Sequence, residues 1–182
     1  QYGIEVWIDL RQPYAWTPHG QQHHFHSSHF QCVHADPRRL FLRCDADNIS
    51  FWLVAFHAPH SGHSQKTCEE WWQETSEILR EQHDGDPVFV LCDANAAVGA
   101  HTSCHIGDFH AAKEDPKAEP FESYLSRSDL WLPSTFEAHQ KGPGATWTHS
   151  SGSLRRIDYI GLPIHWQYDH CQARSEEHTS EL

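Results

Sequence analysis

Methionine does not occur among the 182 residues of this chain, and no stretch is apolar for long enough to span a membrane. No leader-like segment opens it, so the expected setting is intracellular, cytoplasmic or nuclear, with no membrane partner. The six cysteines, at 32, 44, 68, 92, 104 and 171, include no C-x-x-C pair, which argues against both a zinc and a disulfide framework. Cys44 and Cys92 fall in strand-like runs, as free thiols of a reducing compartment do. Basic residues are scarce: Lys and Arg number 13 against 25 Asp and Glu, a formal charge of −12. That balance counts against a broadly basic nucleic-acid-binding surface. Yet Glu69, Glu70, Glu74, Glu77, Glu81, Asp84 and Asp86 cluster on one expected helix and its exit, and net charge does not set the potential at a cleft. No internal repeat or linker divides the chain, and a hydrophobic content of 38% suits one globular domain with a real core.

Histidine is what the chain has in excess, 18 residues. His19, His23, His24, His26, His29 and His34 fall between Arg11 and Pro37, a stretch broken by Pro13, Pro18 and Gly20. It reads as a long, irregular, mobile loop with a short strand around Phe30 to Val33. Without an H-E-x-x-H motif, a nearby Cys pair or a helix to fix ligand geometry, no specific metal site is expected there. Ahead of it, Tyr2 to Leu10 alternates apolar residues at Ile4, Val6, Ile8 and Leu10, the period of a half-buried strand.

Beyond the loop, Arg39–Cys44 and Ile49–His57 are expected strands joined by the acidic turn Asp45-Ala46-Asp47-Asn48. The second is nearly all apolar and so is expected to be central. Thr67 to His83 is the clearest helix: Cys68, Trp71, Trp72, Thr75, Ile78 and Leu79 form one stripe with acids opposite. Thr67-x-x-Glu70 offers a capping box and Ser64 a rival N-cap. The stripe makes Trp71 and Trp72 core residues rather than a platform for bases. A polar loop over 101–118, a short helix Pro120–Arg127 and strands Leu130–Phe136, Ala145–His149, Arg156–Leu162 and Trp166–Ala173 follow.

The stretch that organises the chain is Val88-Phe89-Val90-Leu91-Cys92-Asp93-Ala94-Asn95. Four apolar residues after Pro87 read as a buried strand, and a carboxylate and an amide stand where it runs out. Ligand sites occupy such strand ends. The alternative is an Asx-type turn, in which Asp93 and Asn95 bond only their own backbone. Two further strand ends carry polar signatures: His57-Ala58-Pro59, and Arg155-Arg156-Ile157-Asp158-Tyr159-Ile160 with Thr146-Trp147 upstream.

In this order and spacing the signatures, with Leu132-Pro133-Ser134-Thr135-Phe136, resemble the endonuclease/exonuclease/phosphatase superfamily, most closely its LINE-type (non-LTR) retrotransposon endonucleases. The resemblance covers roughly residues 3–173. It implies an α/β fold of two packed, mostly antiparallel β-sheets flanked by helices, a four-layer deoxyribonuclease-like sandwich. It further implies Mg²⁺-dependent (or Mn²⁺-dependent) phosphodiester cleavage with DNA as substrate and a reverse transcriptase downstream in the full-length protein. Residue by residue, Asp93 matches the Asp that positions or deprotonates the attacking water. Asn95 matches the Asn that holds the phosphate and that Asp, and Asp93 and Asn95 are the implied metal ligands. His57 matches the group that contacts the scissile phosphate, and Asp158 the Asp that orients a catalytic His further on. Phosphodiester cleavage needs an activated water, a cation at the phosphoryl oxygens and donors aimed at the transition state.

The chain departs from the pattern at Cys92, where the family carries Gly, and at Ala94, where it carries a larger apolar residue. The family's upstream Asn and metal-binding Glu, and its terminal S-D-H, have no match. Asp169-His170 imitates the last of these, but it follows Asp158 too closely for a return to the sheet end. Residues 1–173 are therefore expected to be a partial domain, truncated at both ends. Arg174 to Leu182 resembles an adapter translation and is set aside as an artefact. A DNA-nicking activity, weak or lost in this fragment, is the expected function. The alternatives are a non-catalytic remnant of the fold and a phosphatase acting on another phosphate ester.

Overall fold

The computed structural model describes residues 3–60, 62–82, 85–111, 115–149, 151–167 and 171–174. In chain order the elements are β1 (Pro13–Trp16), β2 (Gln22–His24), β3 (Phe30–Asp36), β4 (Arg39–Ala46), β5 (Ile49–His57), α1 (Gln65–Gln82) and β6 (Val88–Asp93). There follow α2 (Ala118–Arg127), β7 (Leu130–Trp131), β8 (Gln140–Lys141), β9 (Trp147–Thr148), β10 (Leu154–Arg155), β11 (Asp158–Pro163) and β12 (Ala173–Arg174). Six strands make one sheet in the order β3-β4-β5-β6-β11-β7, and β1-β2, β9-β10 and β8-β12 are separate pairs. Only β5-β6 in the large sheet is parallel, as the α1 crossover between them requires.

Both helices cover one face of this sheet. Trp52, Val54 and Phe56 of β5, Val88, Val90 and Cys92 of β6 and Tyr159 of β11 meet the α1 stripe, in which Cys68, Trp71, Trp72, Thr75 and Leu79 are buried. Trp72 stacks on Phe121 of α2 at 4.9 Å, so the two tryptophans are core, as their spacing demands. Burial of such side chains contributes about 1.5–3 kcal/mol each. The N-cap of α1 is Ser64, whose hydroxyl accepts the Thr67 N–H at 3.1 Å, rather than Thr67.

The opposite face carries thinner cover. Here the reading of Arg11–Pro37 as an irregular loop is corrected. β1 and β2 form a hairpin, and β3 is a seven-residue edge strand paired along β4. Tyr14 stacks on Phe25 at 4.2 Å, and Phe25, Phe51, Phe89 and Trp166 continue the aromatic contacts across the sheet face. Residues 3–9 alternate half-buried Ile4, Val6 and Ile8 with exposed neighbours as expected, yet pair with no strand among the described residues. The Leu130–Phe136 strand stops after Trp131, because Pro133 cannot donate to a ladder and opens a 3-10 turn instead. Of the strand expected over Trp166–Ala173, Trp166 closes a 3-10 turn, residues 168–170 lie outside the described residues and Ala173 opens β12. Asp169 and His170 lie outside the described residues.

Candidate active site

The parallel β5-β6 pairing sets His57 opposite Asp93, and the antiparallel β6-β11 pairing sets Asp158 opposite Asp93. In-register partners share a sheet face, so His57, Asp93 and Asp158 form a single row across three strands where β5 and β6 end and β11 begins. His57 Nε2 lies 3.5 Å from Asp93 Oδ2. The other carboxylate oxygen, Oδ1, accepts the backbone N–H of Asn95 at 2.9 Å. The Asx turn is thus real, and it occupies only one of the two oxygens. Asn95 itself sits at φ 48, a left-handed conformation that Asn tolerates better than most residues. Its amide Nδ2 donates 2.8 Å to the Ala58 carbonyl, tying the β6 exit to the β5 exit. All four residues anticipated from sequence therefore come together.

Several residues that hold this row carried no role in the sequence reading. Thr146 Oγ1 accepts the N–H groups of both Ile157 and Asp158 at 3.1 Å, fixing the entry to β11. Tyr159 Oη donates 2.8 Å to the Arg156 carbonyl and accepts the Val98 N–H at 3.2 Å, which pins the loop after Asn95. The carboxylate of Asp115 accepts the N–H groups of Ala97 and Lys117, joining the same loop to the start of α2. Arg156 is 8% exposed, and burial pulls its pKa down. Its guanidinium donates to the Gly144 and Phe109 carbonyls. Thr146 and Arg156 stood inside quoted motifs, and their types (a short hydroxyl, a long fork of donors) were the available signal.

Electrostatically the row is uneven. Asp158 keeps an exposed surface, yet partial desolvation against the cavity wall pushes its carboxyl up; the Thr146 hydroxyl opposes this, the charge of Asp93 adds to it, and His57 opposes it. Asp93 and Asp158 line a cavity of about 770 Å³ with Thr146, Arg156, Leu91 and Ile160. Among the described residues no three His, Cys, Asp or Glu side chains come together as a metal cage. What the row does offer a hard cation is two carboxylates in directly opposed positions, which repel when unaccompanied. Beside them stands the Asn95 amide, whose nitrogen is committed to Ala58. These oxygens suit Mg²⁺, which keeps several of its waters, and the His57 Nε2 beside Asp93 is the nitrogen of the row.

No family model and no curated protein matches the sequence. Solved structures do. The endonuclease domain of TRAS1, a telomere-specific non-LTR retrotransposon, aligns at a TM-score of 0.51 and 12% identity, over 84% of this chain and 65% of that one. The fold is that of the endonuclease/exonuclease/phosphatase proteins. A β-hairpin deletion mutant of beta toxin from Staphylococcus aureus aligns at 0.50 and 15% identity, over 80% of this chain and 52% of that one. An endonuclease/exonuclease/phosphatase family protein from Leptotrichia buccalis aligns at 0.46 and 15%, over 72% and 43%. The chain thus spans less than two thirds of the length of each of these.

Proposed function

We propose that this chain belongs to a metal-dependent phosphodiesterase that nicks DNA, of the non-LTR retrotransposon kind, with a reverse transcriptase elsewhere in the full-length protein. The observation that carries the reading is the row His57–Asp93–Asp158 with Asn95 at its end, built by strand register from three separate motifs. Asp93 would orient the attacking water and accept its proton. The Asn95 amide would place the phosphate, and His57, 3.5 Å from Asp93, would contact it near the leaving oxygen. Asp158 would act as a positioning carboxylate in the same row. Mg²⁺ (or Mn²⁺) would be held by Asp93 and Asn95 and would offset charge on the phosphoryl oxygens.

A second reading is a fold kept without turnover. Nicking of supercoiled plasmid in Mg²⁺ separates the two. The assay compares this chain, its Asp93→Ala variant, and a longer translation of its reading frame at both ends. Weak nicking by the chain and strong nicking by the longer protein are expected. Asp93→Ala should reduce either by about 10²-fold or more. Failure of the longer protein to nick would leave the non-catalytic reading.

A further inference from the structure

We propose that Arg38, His60, His63 and Lys117 form a cationic clamp that grips a DNA phosphate flanking the one held at the His57–Asp93–Asp158 row. The proposal rests on the phosphodiesterase reading and adds a substrate contact to it. In a chain of net charge −12, four cationic or protonatable side chains meeting at one spot run against composition, and their mutual repulsion is a cost to the fold. The rings of His60 and His63 lie 4.7 Å apart. Lys117 Nζ donates to the carbonyls of His60 at 3.3 Å and His63 at 3.0 Å and to the Cys68 sulfur at 3.7 Å, which uses its three N–H groups, so it acts on an anion through its charge. Arg38 Nη1 donates to the carbonyls of His57 and Ala58 at 3.2 Å.

Two features turn the cluster into a receptor rather than a crowd. The His60 ring is preset: its Nδ1 accepts the Gly62 N–H at 3.0 Å. The proton of the neutral ring therefore sits on Nε2 and is left to donate to an anion. The cluster is also coupled to the catalytic row, because Ala58 O receives both Arg38 and the Asn95 amide. The starts of α1 and α2 meet here as well, joined by Lys117, and the Asp115 carboxylate, which takes the Lys117 N–H, faces the cluster from the α2 start. His63 is held below its usual pKa by desolvation and by the charges of His60, Arg38 and Lys117. A phosphate would offset those charges, so binding should take up a proton and strengthen as pH falls.

A plainer role for Lys117 is a staple that holds the loop and meets no ligand. Binding of a DNA duplex of about 20 base pairs in EDTA, titrated with KCl, tells them apart. Lys117→Met should lower the slope of log K against log[KCl] by about one, and Lys117→Arg should restore it. The wild-type chain should gain about tenfold in affinity from about pH 8 to about pH 6, and the His60→Gln/His63→Gln variant should lose most of that gain. Weaker binding by Lys117→Met at an unchanged slope would mean a staple only and would overturn the clamp. So would no duplex binding by the wild-type chain, or a pH response unaffected by the histidine changes. Asp93→Ala should keep the slope while losing nicking. If it nicks, the phosphodiesterase reading falls and the clamp stands on its own binding data.

Discussion

Asp158 stands where its charged form costs the fold stability. It is pushed above its ordinary value of 3.8, first by the partial desolvation of a carboxyl that still keeps an exposed surface, and the Asp93 charge beside it works in the same direction. For a carboxyl raised in the folded state, stability is greatest where the group is protonated in both states. It declines as pH rises from about 4 through the folded value and stays at its lower level above it. Removing the charge should therefore help folding at neutral pH. We expect Asp158→Asn to raise the melting temperature in EDTA near pH 7, to show no such gain near pH 3, and to abolish nicking. A lower melting temperature at pH 7 would mean that Asp158 is a structural acceptor, with the Thr146 contact its reason for being there. The trade of stability for activity is the expected signature of a working site.

At the scale of elements, the same reasoning moves to what locks the strand ends together. Tyr159 Oη spans the Arg156 carbonyl and the Val98 N–H inside the core, and burial pushes its pKa up. Tyr159→Phe leaves that N–H without its partner, at a cost of about 1–3 kcal/mol. It should also loosen the loop after Asn95. Urea denaturation should register the first effect and faster amide exchange at residues 96–98 the second; unchanged exchange there would refute the linkage. This lock was not legible in the sequence, whereas the elements it joins were. β4, β5, β6 and α1 announce themselves through apolar runs and a 3.6-residue stripe, because each buries a full face. The candidate row was legible for the same reason: buried strands end abruptly, and His57, Asp93 and Asp158 are the polar residues at those ends. The hairpin β1-β2 was missed, and edge strand β3 was legible only as a short piece around Phe30 to Val33, because their histidines read as polar while the contacts that order them run from Tyr14 and Phe25 to distant Phe51. Short pieces such as β8 and β12 rest on non-local pairing, two residues each, and no periodicity can signal them.

Over the whole molecule, the two faces of the six-stranded sheet are unequal. One lies beneath α1 and α2, and the other is partly covered by residues 3–9 and the aromatic contacts around Phe51 and Phe89. The half-covered part centres on Leu91 and Ile160, which pair directly across β6 and β11 and remain 37% and 52% exposed. Trp7, 90% exposed, lines the same cavity. Adjacent apolar side chains on a strand surface are a liability for association between copies. Since they contribute little burial, replacing them should cost the fold little, provided that the replacements are β-branched. The double variant Leu91→Thr/Ile160→Thr is accordingly expected to scatter less light on concentration than the wild-type chain. Its melting temperature should move by no more than about 4 °C, the shift that corresponds to about 1 kcal/mol in a domain of this size. A larger fall would mean that these two side chains are already seated against residues 3–9 as core. Undiminished scattering at an unchanged melting temperature would place the sticky surface elsewhere, with exposed Trp16 and Leu154 the next to replace.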